Sequence, residues 1–170
     1  MLIVRFILIF SFNLDLDGAE FTFVHYIQQL LQGLPLYLNP EVHPYSTVLY
    51  TPLNLYTVFA ICKWLGFNYI YDVHAIYIVG RCVSFLCVIG TIWYIDLIVK
   101  IYSKDKTIRL QSIFIFLLII SGHAYAFRPD SMKILFFVQF VYYFIQYFFY
   151  AQRKLDLFCM ILFANLSFLA

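Results

Sequence analysis

From Ala75 to Val99 the chain runs 25 residues almost without charge. As a helix rising 1.5 Å per residue, that run is about 37 Å long, more than the roughly 30 Å hydrocarbon core of a bilayer. Backbone polar groups in hydrocarbon must be satisfied within their own segment, and a helix does this. Apolar runs recur at residues 108–127 and 131–150, with shorter ones at 1–13 and 155–170. The whole chain is 64% hydrophobic and 12% charged, where a soluble domain carries roughly 25% charged residues. These features predict an all-α, polytopic membrane protein with about five transmembrane helices in a single domain, residues 1–170. The first run spans only about 20 Å as a helix. It has Arg5 but no small-x-small cleavage site, so it does not read as a signal peptide. Residues 157–170 stop at Ala170 without a flanking charge, and the chain reads as truncated inside a span.

Residues 14–74 read differently. Over 18–33, Thr22, His25, Gln28, Gln29 and Gln32 fall on one helical face, and Phe21, Val24, Ile27, Leu30 and Leu31 on the rest. This is the pattern of a helix lying on a membrane surface. Gly33, Pro35, Pro40 and Pro44 make 33–51 an irregular loop. Pro52 opens a second helix and Gly66 closes it. That segment is apolar except for Asn54 and Lys63, and reaches only about 21 Å. If 52–66 does not cross the bilayer, Lys100, Lys104, Lys106, Arg109, Arg153 and Lys154 all lie on the cytoplasmic side, as the positive-inside rule prefers. Residues 14–74 are then one extracytoplasmic loop with interfacial helices 18–33 and 52–66. Arg128-Pro129-Asp130, the tight connection between two spans, shares its side. The expected location is the bacterial cytoplasmic membrane, with the site facing outward.

Three of the nine acidic residues, Asp15, Asp17 and Glu20, sit within six positions at the mouth of the first apolar run. A carboxylate near hydrocarbon is costly without a partner or a task. Asp17 and Glu20 have the spacing of a capping box, and Asp130 that of an N-cap. The functional reading is an interfacial carboxylate acting as general base. Arginine suits phosphate oxygens because its donors form a planar fork. Arg81, six residues into its span, together with Arg128 and Lys133, suits a lipid-linked phosphate, and Lys63 is a fourth candidate. Converging acids suit Mg²⁺ or Mn²⁺, although carboxylate spacing alone shows no metal, and no other cofactor is implied. His25, His43, His74 and His123 lack metal-ligand spacing. Cys62, Cys82, Cys87 and Cys159 read as apolar packing residues. No nucleophile elbow or P-loop is present, and no basic block points to nucleic acid.

Several short runs follow in order: Asp17-Gly-Ala-Glu20, Gly33-Leu-Pro-Leu-Tyr37, Tyr50-Thr-Pro-Leu-Asn-Leu55, Trp64-Leu-Gly-Phe67, Gly80-Arg-Cys-Val-Ser84 and Ala126-Phe-Arg-Pro-Asp130. This order resembles the N-terminal part of the polyprenyl-phosphate-dependent glycosyltransferases of the GT-C type. Protein O-mannosyltransferases and the aminoarabinose transferase of lipid A belong to that group. Their pattern reads D-x-G-E, G-x-x-L-Y, Y-P-P-L, L-F-G, R-L-x-S and R-x-D. Here Thr51 replaces the first proline of Y-P-P-L, and the glycine of D-x-G-E comes one place early. The resemblance implies inverting transfer of a sugar from a polyprenyl-phosphate donor to a lipid, glycan or protein hydroxyl. It implies Asp17 as catalytic base, Glu20 as its acidic partner, Asp130 as a second acid, and Arg81 and Arg128 near the lipid phosphate. The alternatives are a non-enzymatic membrane protein, such as a transporter fragment or assembly subunit, and an inactive fragment of such an enzyme.

Overall fold

The structure is a computed structural model and describes residues 6, 7, 9, 10, 19–37, 52–119 and 126–170. These residues form six α-helices and no strand: α1 (Glu20–Leu31), α2 (Pro52–Trp64), α3 (Val73–Tyr102), α4 (Lys106–Ile119), α5 (Asp130–Ile145) and α6 (Lys154–Leu169). A π-helical stretch, Gln146–Ala151, continues α5.

Helices α1 and α2 end in the same way. Gly33 and Gly66 take φ of 80° and 74°, a left-handed conformation open to glycine without a Cβ clash. Leu34 N–H then donates to Gln29 O, and Gly33 N–H to Leu30 O, each at 3.0 Å. Phe67 and Gly66 donate to Cys62 and Lys63 in the same pattern, at 3.0 and 3.1 Å. These are Schellman motifs, which satisfy carbonyls the helix leaves orphaned. The polar face expected for α1 is exposed at Thr22, His25 and Gln32, but Gln29 is buried.

The main core gathers Phe23, Val24, Ile27 and Leu30 of α1, Leu55, Val58 and Cys62 of α2, and Ile76, Tyr77 and Val83 of α3. Phe127 and Met132 close it. It therefore sits around the first half of α3. Gly80 is needed there, because a Cβ at this position would overlap the Phe127 ring. The contacts also set helix direction. Gly80 meets Phe127, Gly90 faces Leu135, and Tyr94 meets Tyr142 edge to face. Helices α3 and α5 therefore run parallel. Their C-terminal ends, with Lys100, Lys104, Arg153 and Lys154, lie at one end of the bundle. Glu20, Arg81 and Asp130 lie toward the other.

Among the described residues two helices, Val73–Tyr102 and Asp130–Tyr150, are long and apolar enough to cross a membrane. This corrects the expectation of about five spans. Helix α4 is described only to Ile119, about 21 Å, and α6 reaches about 24 Å. Ala126 and Phe127, expected inside a span, are not helical. The apolar run 1–13 lies largely outside the described residues. Large apolar side chains stand outward along these helices, including Trp93, Leu86, Phe114, Phe149 and Phe158.

The Gly80 contact makes a direct prediction. Gly80→Ala should cost about 1–3 kcal/mol, the usual penalty of overpacking a filled core. Reversible unfolding in detergent measures it, and adding Phe127→Leu should recover much of the loss. An unchanged midpoint in the single variant would contradict this packing.

Candidate functional site

Glu20 and Arg81 are both fully buried. Taking a carboxylate and a guanidinium out of water costs several kcal/mol each, and the pair persists only with good geometry and further hydrogen bonds. Both conditions are met. Arg81 Nε donates to Glu20 Oε1 at 2.9 Å and Nη2 donates to Oε2 at 2.7 Å, the two-pronged fork of an arginine–carboxylate pair. The third nitrogen, Nη1, donates to the Ile9 carbonyl at 3.3 Å. The guanidinium carbon lies 5.3 Å from the Tyr77 ring centroid, within cation–π range. Glu20 Oε1 also accepts the Phe127 backbone N–H at 2.7 Å.

The next residue is held as well. Ser84 Oγ accepts the Arg128 N–H at 3.0 Å and donates to the Arg128 carbonyl at 3.2 Å. Tyr77, Arg81 and Ser84 stand at i−4, i and i+3 on α3, one helical face. That face binds Glu20 at the start of α1 and the chain at 127–128 just before α5. Three runs singled out in the sequence therefore meet: Ala19-Glu20, Gly80-Arg-Cys-Val-Ser84 and Ala126-Phe-Arg-Pro-Asp130.

The predicted site residues divide as follows. Asp15 and Asp17 lie outside the described residues, as do His43 and His123. Glu20 is the first residue of α1, whose N-cap, Ala19, makes no side-chain cap. Its two oxygens accept from Arg81 and Phe127, and the capping box that its spacing suggests with Asp17 lies outside the described residues. Arg81, expected near a lipid phosphate, has its guanidinium enclosed by Glu20, Ile9 and Tyr77. Arg128 is half-buried, while Asp130 and Lys133 are exposed at the start of α5. Pro129 rather than Asp130 is the N-cap there. Lys63 lies 5.6 Å from the Phe59 ring centroid, within α2. His25 Nε2 and Gln29 Nε2 are 3.0 Å apart. Among the described residues no three His, Cys, Asp or Glu side chains are grouped to hold a metal ion. All four cysteines are free thiols, and burial pushes the Cys62 thiol up to about 11, away from a nucleophilic thiolate.

Two features were missed. Asp96 and Arg109 pair across the α3–α4 turn, with Oδ1···Nε at 2.7 Å and Oδ2···Nη2 at 2.5 Å. An acid late in an apolar run was the available signal. Asn54, noted only as a polar exception, is fully buried, and neither side-chain atom has a hydrogen-bond partner. Comparison with protein-family models, curated proteins and solved structures finds no match to this chain.

The buried pair can be tested by substitution. Glu20→Leu and Arg81→Leu should each cost about 3–5 kcal/mol, because each strands a buried charge. The double variant should cost clearly less than their sum, since it strands none. Unfolding in detergent gives all three values, and simple additivity would contradict the pairing.

Proposed function

We propose that this chain is part of a membrane glycosyltransferase that moves a sugar from a polyprenyl-phosphate donor to a hydroxyl acceptor at the extracytoplasmic face. One observation carries the reading. Three short runs, far apart in sequence and ordered as in the GT-C glycosyltransferases, share one buried node through Glu20, Arg81, Ser84 and Phe127. The segregation of Lys100, Lys104, Arg153 and Lys154 to the other end supports an orientation with that end cytoplasmic. In this reading α1 and α2 lie in the outer interface, and the membrane is the bacterial cytoplasmic one.

Within this reading Glu20 and Arg81 are positioning residues. They hold the chain beside Asp17, three residues before Glu20, and beside Arg128 and Asp130. Asp17 is the base. The acceptor oxygen attacks the anomeric carbon from the face opposite the phosphate, and the bond to the phosphate oxygen breaks. The polyprenyl phosphate leaves with that electron pair, and the acceptor proton passes to Asp17. An aspartate is a weak base toward an alcohol, so this transfer comes late, as the attacking oxygen becomes acidic. Arg128 is the cation offered to the charge developing on the leaving phosphate, and Asp130 is a second acid at the acceptor. A Mg²⁺ or Mn²⁺ ion would need these outer acids, since Glu20 is already committed to Arg81.

A second reading is a non-catalytic membrane protein. It draws on the fact that both ion pairs among the described residues, Glu20–Arg81 and Asp96–Arg109, join separate helices as internal staples.

Membranes carrying the protein, supplied with radiolabelled polyprenyl-phosphate sugars, separate the two readings. The enzyme reading expects transfer that falls by about 10²–10⁴-fold in Asp17→Asn at matched expression. Equal rates in wild type and variant would remove Asp17 as the base. No transfer from any such donor would leave the staple reading.

A further inference from the structure

At the basic end of the bundle, α3 turns into α4 through Ser103–Asp105. Asp105 is committed to this turn, its Oδ1 accepting the Thr107 N–H at 2.8 Å. Nearly two turns before the end of α3, the Asp96 carboxylate is gripped by the Arg109 fork. Lys100, four residues further along α3, also acts on that carboxylate. Asp96, Lys106, Arg109, Leu110 and Ile113 line an open cavity of about 220 Å³. Its lining joins the charged Asp96, Lys106 and Arg109 to the apolar Leu110 and Ile113. Leu110 is exposed, facing outward where a bilayer surrounds the helices.

The charges do not cancel. Asp96 and Asp105 offset two cations, and Lys100, Lys104, Lys106 and Arg109 bring four. Among the described residues no carboxylate pairs with Lys106. A cavity lined by surplus cations and aliphatic side chains matches a molecule that is anionic at one end and hydrocarbon at the other. We propose that the Asp96–Arg109 cavity binds the headgroup of an anionic phospholipid, its phosphodiester at Lys106 and Arg109 and its acyl chain along Leu110 and Ile113. Free phosphate would leave the apolar walls unused. A zwitterionic headgroup would bring its own cation against Lys100 and Lys106. Basic pockets at the cytoplasmic ends of membrane helices hold anionic lipids by this balance of charge and apolar contact. In this arrangement Asp96 orients the Arg109 fork and the lysines supply the attraction. The site needs no sugar transfer, so its test stands apart from that of the enzyme reading.

The experiment is native mass spectrometry of the full chain in neutral detergent. The chain is titrated in separate arms with phosphatidylglycerol, phosphatidylcholine and inorganic phosphate. Wild type is expected to retain phosphatidylglycerol about tenfold better than phosphatidylcholine, and phosphate not at all. The Lys100→Gln/Lys106→Gln variant changes two exposed side chains outside the core. It is expected to lose about tenfold or more of the phosphatidylglycerol retention. Undiminished retention in that variant would overturn the proposal, as would equal retention of phosphatidylcholine. Phosphate bound as tightly as the anionic lipid would overturn the lipid in favour of a simple anion.

Discussion

A carboxylate and a guanidinium buried without water can remain charged only if the protein supplies every contact that water did. Glu20 and Arg81 meet that condition with partners from four parts of the chain: Ile9, the first turn of α1, the Tyr77–Ser84 face of α3, and Phe127 ahead of α5. Each is brought in by a hydrogen bond or a ring face that the pair requires. The core of α1, α2 and α3 packs around this node, and Gly80 leaves the space in which Phe127 sits. A buried pair of this kind adds little net stability over apolar substitutes, but removing one partner is costly. Its effect here is on arrangement. It dictates which segments meet, and the segments it joins bear the functional resemblance.

The second pair, Asp96–Arg109, stands fifteen residues further along α3, about 22 Å along the axis. It is part-exposed where the first is sealed. The apolar stretch between them carries outward-facing Leu86, Ile89 and Trp93. Helix α3 is thus a spine with a closed polar node at one end and an open, basic one at the other. The closed node holds loops near the proposed chemistry. The open one sits near Lys100, Lys104 and Lys106.

Much of the helix layout is legible locally. Pro52 and Gly66 mark α2 because proline suits a helix start and a left-handed glycine its stop. The run 75–99 widens only to Val73–Tyr102. What fails is non-local. Residues 126 and 127 look like the end of an apolar helix, yet the Phe127 N–H is drawn to a carboxylate 107 residues away. Glu20 has capping-box spacing, yet its carboxylate also reaches a guanidinium 61 residues on, which no local spacing announces. For the same reason Arg81 reads from the sequence as a phosphate ligand. Nothing within four residues of it announces that its fork is filled. The Tyr77, Arg81, Ser84 spacing was available and marks one helical face, though not what that face binds.

The most direct test of this account is hydrogen exchange at one amide. Phe127 lies outside any helix, so its N–H has no helical acceptor and depends on Glu20 Oε1. The account predicts that this amide exchanges as slowly as those in the middle of α3, opening only when the core unfolds. It also predicts that Arg81→Leu releases the amide while the middle of α5 stays protected. Fast exchange at Phe127 in the wild-type chain would contradict the buried node on which the rest depends.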